Sequence, residues 1–180
     1  MSPTVEGAGG PFTLPGRVLG IDPGTATTGF ALVAERRPGA GADEPHLVEC
    51  GVIRTKAGVP MPERLVQIHG ALTQLIDELQ PDAVAVEELF FSANVTTAIS
   101  VGQARGVILL AAASAGLPVA EYKPNVVKQA ISGYGGADKR QMQEMVRMLL
   151  RLEEVPRPDD AADAVAIALC HLQMARYAGL

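Results

Sequence analysis

Tryptophan is absent from these 180 residues, and aromatics make up only 4%. Cysteine is equally scarce: Cys50 and Cys170 stand alone, with no CxxC pair. That excludes a disulfide framework, and a reducing cytoplasmic setting is expected. No uninterrupted apolar run reaches the roughly eighteen residues of a spanning helix, so no membrane role is expected. The opening MSPTVEGAGGPFTLPG lacks the basic and apolar regions of a secretory signal. Residues 1–16 read as a disordered tail. A basic excess is missing too: 15 Lys and Arg face 20 Asp and Glu, for a formal charge of -5. Alone, that argues against nucleic acid. What is present is 48% hydrophobic residues, enough to exclude a disordered chain. The length suits one domain, placed at 17–178.

The charge is unevenly spread. Residues 121–151 carry six bases (Lys123, Lys128, Lys139, Arg140, Arg147, Arg151) and three acids (Glu121, Asp138, Glu144). An acidic total can therefore hide one basic face.

Short apolar runs at 17–22, 28–34 and 46–54, joined by turn and loop signals, predict three strands in an antiparallel meander. Residues 61–80 place Leu65, Ile68, Leu72, Leu75, Ile76 and Leu79 at helical spacing, bracketed by Pro62 and Pro81. A fourth strand is expected at 82–88, a small-residue helix at 93–116, a fifth strand at 117–122, and helices at 124–132, 138–152 and 156–178, the last beginning after Pro158. The class is α/β, without internal repeats.

Four acids sit where acids are physically awkward. Asp22 and Glu87 each end an apolar strand. Asp160 and Asp163 lie three apart on one face of an Ala-rich helix. Desolvated carboxylates either take protons or hold a cation. In open α/β sheets, reactive groups gather at strand ends and helix N-termini. A set with only hard oxygens suits Mg²⁺ or Mn²⁺ rather than zinc. Two such ions, roughly 3.5–4 Å apart, cleave phosphodiesters in line. The bland readings stand beside this one. Asp160 could cap its helix, Asp22 could be a turn aspartate before Pro-Gly, and Glu87 with Glu88 could be a solvated strand end. Only all four together favour a site.

The segments IDPGTATTGFALV, AVEELFF, the long stretch VGQARGVILLAAASAGLPVAEYKPNVVKQAISGYGGADKRQMQEMV and DDAADAVAIALCH resemble the RuvC family of Holliday-junction resolvases, from about Val18 to His171. The resemblance implies an RNase H-like fold: a five-stranded mixed sheet, three strands antiparallel and then two parallel, flanked by helices. It implies a homodimer, a four-way-junction DNA substrate, and two Mg²⁺ or Mn²⁺ ions per subunit. Its four metal-binding carboxylates fall on Asp22, Glu87, Asp160 and Asp163. Asp22 is expected to bridge both ions, with Glu87 on one side and Asp160 and Asp163 on the other. Cleavage would leave 5′-phosphate and 3′-hydroxyl ends. The family also carries an expectation of contact with a branch-migration motor.

Two of the four phenylalanines, Phe90 and Phe91, are adjacent beside the proposed site. One suffices as a core residue; the resemblance makes Phe90 a base-stacking aromatic, with Asn94 in the following loop touching DNA. Lys128 and Lys139 match family lysines associated with DNA binding, and Arg140 adjoins them; their bland reading is a solvated helix surface. Arg105 could brace its helix through an ion pair. His171 reads as structural. The small residues Ala98, Gly102, Ala104 and Gly106 could face a second subunit or their own sheet.

Three other functions compete with this one. An Hsp70-like ATPase shares the DPGT loop, but needs a second domain that 180 residues cannot supply. A nuclease of RNA–DNA hybrids would show the same acids. A non-catalytic junction binder would not need all four.

Overall fold

The computed structural model describes residues 16–35, 44–88 and 95–178. Five strands form one sheet: β1 (Arg17–Asp22), β2 (Thr27–Glu35), β3 (Pro45–Arg54), β4 (Ala83–Glu87) and β5 (Val119–Tyr122). Five helices flank it: α1 (Met61–Leu79), α2 (Val95–Ser114), α3 (Pro124–Ser132), α4 (Lys139–Leu149) and α5 (Asp159–Ala178). The strand order is β3-β2-β1-β4-β5. β1 pairs antiparallel with β2, and β2 with β3, while β1 pairs parallel with β4, and β4 with β5. This is the mixed sheet that the family resemblance implies, and its first three strands form the meander read from the apolar runs.

Strand alternation sorts the core into two layers. Leu19, Ile21, Phe30, Leu32, Val84 and Val86 project toward α1 and α2, where they meet Ile68, Leu72, Ile76 and Ile108. Val18, Ala31, Val33 and Ala85 project the other way, onto α5, with α3 and α4 outside it. α1 buries Ile68, Leu72, Ile76 and Leu79, one stripe at helical spacing, and stops at Gln80, whose φ of 46° is left-handed.

Element ends depart modestly from the sequence expectation. α4 begins one residue later, because Asp138 caps it: its carboxylate accepts from the Gln141 backbone N–H, and the Gln141 side chain accepts from the Asp138 N–H. It ends three residues earlier, where Arg151 turns left-handed at φ 52°. α5 starts at Asp159, after Pro158 as expected.

One departure is compositional. Among the described residues, the stretch Thr97–Ser114 of α2 is long and apolar enough, by length and composition, to cross a membrane. Uninterrupted-run counting missed it because polar residues punctuate it. Ala104, Ile108, Ala111 and Ala112 of this helix are buried in the layer between sheet and α1, whereas Ile99 and Leu110 are 60% and 58% exposed.

Candidate active site

Parity along the strands aims two acids at the same side. Asp22 follows Val18 and Gly20 in alternation; Glu87 follows Ala83 and Ala85. Val18 and Ala85 belong to the α5 layer. The parallel register pairs Ile21 with Val86, so Asp22 and Glu87 are the next step on neighbouring strands, at the same sheet end. Both emerge, half-buried, on the face that α5 covers.

α5 can reach them because two strand positions have no side chain. A Cβ at Gly20 would lie 2.2 Å from the carbonyl oxygen of Ala164, and one at Gly29 would lie 2.0 Å from that of Asp160. Gly29 is the cross-strand partner of Asp22. The helix backbone therefore rests directly on the sheet, with its first turns over the end of β1. Asp160 and Asp163 arrive beside Asp22 as a result. Sequence reasoning overlooked both glycines; glycine inside a strand, a sign of close backbone approach, was the available signal.

The electrostatics record the crowding. The Asp22 carboxyl is pushed up to about 8, by burial first and then by the charges of Glu87, Asp163 and Asp160. Glu87 is pushed up to about 7 by burial and by Asp163, against a lowering from Lys128. Asp163 is also raised, burial outweighing the ammonium of Lys139. Acids that burden one another this way are relieved by a proton or a cation. Among the described residues, no three acidic, histidine or cysteine side chains close into a ready-made cation cage. The donor set nonetheless fits a divalent ion: hard oxygens only, partly desolvated, drawn together from three elements.

Beside Glu87 and Asp163 opens a cleft of about 230 Å³, floored by Pro124, Val127, Met142 and Ala166 and flanked by Lys128 and Lys139. Of the six bases in 121–151, these two line it. Arg140 is exposed on the first turn of α4. Arg147 pairs with Glu144 at 3.0 Å, and Arg151 with Glu44, so both are engaged elsewhere. Arg105 pairs with Glu121, tying α2 to β5. His171 Nδ1 and the Tyr122 hydroxyl share a 2.7 Å hydrogen bond, and burial lowers the proton affinity of the imidazole; it is a structural residue. Of the small residues in α2, Ala104 is buried against its own subunit and Gly106 is exposed. Phe90, Phe91 and Asn94 lie outside the described residues.

The sheet order, the helices and the acids at one sheet end define an RNase H-like fold with a carboxylate site. Comparison narrows this further. Residues 18–171 match the family profile described as crossover junction endodeoxyribonuclease RuvC. A relative of that name from Chloroflexus aggregans is 64% identical over 155 residues, covering 86% of this chain and 92% of its own. The structure of Thermus thermophilus RuvC superposes with a TM-score of 0.82 at 43% identity, covering 90% of this chain and 96% of that one. T. thermophilus RuvC in complex with Holliday junction substrate gives a TM-score of 0.79 at 40% identity, covering 89% and 96%. The chain belongs to the RuvC family of crossover junction endodeoxyribonucleases.

Proposed function

We propose that residues 17–178 act as a single nuclease domain that resolves four-way DNA junctions by paired symmetric nicks, leaving 5′-phosphate and 3′-hydroxyl ends. The observation that carries this reading is the placement of Asp22 and Glu87 on adjacent strand ends under the helix bearing Asp160 and Asp163, with the other three acids all loading Asp22. These four would hold Mg²⁺ or Mn²⁺, two ions per subunit. Bound there, such ions supply a water acidic enough to ionise near neutral pH and a Lewis acid for the leaving oxygen. Lys128 and Lys139 present positive charge to the DNA backbone at the cleft wall, with Arg140 outside them. Phe90 stacks on a base at the crossover and Asn94 contacts DNA beside it. No protein nucleophile is required.

Two symmetric nicks need two sites related by a two-fold axis, and the reading includes a homodimer. The outer face of α2 supports it: Ile99, Gln103, Gly106 and Leu110 recur at helical spacing and are exposed. Cytoplasmic action on DNA, with a branch-migration motor as neighbour, completes the reading.

The test is a synthetic four-way junction incubated with the protein, with and without Mg²⁺ or Mn²⁺. Cation-dependent paired nicks on the junction, and none on linear duplex or RNA–DNA hybrid, are expected. Equal cutting of all three substrates, or ATP turnover without cutting, overturns the reading.

A further inference from the structure

Asp159 opens the DDAAD stretch, yet the proposed reaction gives it no task. It is the first residue of α5 and is exposed, but its side chain is held. The Lys139 ammonium lies 3.1 Å from its Oδ2, and the Gln143 amide donates to its Oδ1 at 3.0 Å. Lys139 and Gln143 stand four apart on α4, so one face of that helix grips one carboxylate. Helix capping does not occupy Asp159: the N–H groups of Ala161 and Ala162 donate instead to the Pro158 carbonyl. The same ammonium sits 3.6 Å from Asp163 Oδ2 and lines the cleft shared with Glu87 and Lys128. A lysine stem has wide rotamer freedom and a compact charge at its end. Here two carboxylates and a glutamine fix where that charge rests. An exposed ion pair of this kind adds little to stability, so its effect falls on the site rather than the fold.

We propose that Asp159, backed by Gln143, is a positioning residue for Lys139, holding its ammonium group at the mouth of the carboxylate cleft where a phosphate of bound DNA meets it. This rests on the nuclease reading above. The experiment is a double-mutant cycle of Asp159→Ala, Lys139→Ala and the pair, read by single-turnover cleavage of a preassembled four-way junction, by Mn²⁺ affinity in calorimetry and by melting temperature. Asp159→Ala should slow cleavage about five- to twentyfold. It should leave the melting temperature unchanged and Mn²⁺ affinity within about threefold, since exposed charges are screened. In the Lys139→Ala background it should cost nothing further, because the two act as one unit. Gln143→Ala should show a smaller loss in the same direction. An equal loss in both backgrounds overturns the proposal, as does a tenfold drop in Mn²⁺ affinity in both, which would make Asp159 a cation ligand. Positioning is also read without cleavage, by acylation of Lys139 with an N-hydroxysuccinimide ester mapped by mass spectrometry. Faster acylation in Asp159→Ala supports it, and an unchanged rate overturns it. An inactive wild-type enzyme with faster acylation in the variant would sink the nuclease reading alone.

Discussion

The two faces of the sheet are built on opposite terms. Toward α1 and α2 the strands present Leu19, Ile21, Phe30 and Leu32, bulky side chains that hold the helices off by ordinary packing. Toward α5 they present Gly20, Gly29, Ala31 and Ala85 between Val18 and Val33, and the helix answers with Ala164 and Ala168. The first face buries more apolar volume per residue. The second gives up bulk for backbone proximity, and the acids meet on that second face. Both sides bury a core, but the acids meet on one side alone, and that difference can be tested.

The largest effect should come from the chemical side. Asp22→Asn is isosteric and should lower junction cleavage by about 10²–10³-fold or more, with junction binding retained in a gel-shift titration. Retained cleavage at saturating Mg²⁺ would remove Asp22 from the reaction.

The comparison itself is tested by a matched pair. Leu72→Ala, on the α1 side, should cost about 2–5 kcal/mol in denaturant unfolding while the residual folded enzyme keeps its cleavage rate. Gly29→Ala adds one methyl group 2.0 Å from a helix carbonyl. It should cost about 1–3 kcal/mol and also cut the rate, by lifting Asp160 and Asp163 from Asp22. Equal rate losses in the two variants would break the division between faces.

A pH difference follows from the crowded acids. Asp22 ionises near its ordinary value of 3.8 when unfolded but only near 8 when folded. Below pH 4 both states hold the proton and the group adds no penalty. As pH rises from about 4 to 8 the unfolded chain releases that proton first, and stability falls. Glu87, raised to about 7, acts in the same direction. Each tenfold gap in proton affinity is worth about 1.4 kcal/mol. In EDTA, the melting temperature of Asp22→Asn should overtake that of the parent chain as pH goes from 5 to 8, and Mn²⁺ should restore the parent. Parallel pH curves would show that the acids are not coupled.

The smallest effect belongs to Tyr122→Phe. It removes the hydroxyl paired with His171, and about 1 kcal/mol of stability should go with it, leaving cleavage intact.

Periodicity made the elements legible in advance, because each strand and helix announces its buried stripe locally; α1 with Ile68, Leu72 and Ile76 is the clearest case. The four acids were legible as oddities, polar groups at the ends of apolar runs. Their meeting was not, since it depends on register between distant strands and on Gly20 and Gly29 lying beneath one helix. The tie between Lys139 and Asp159 was equally hidden, because it spans two helices with no common repeat. The exposed apolar face of α2 escaped for a different reason: composition alone cannot say which side of a helix is covered.

Half of the acidic quartet lies on α5, the last in chain order of the ten elements among the described residues. On the ribosome, a chain translated only through α4 carries Asp22 and Glu87 without their counterparts. On the proposed reading, cutting power then arrives only when that helix emerges and settles over Gly20 and Gly29.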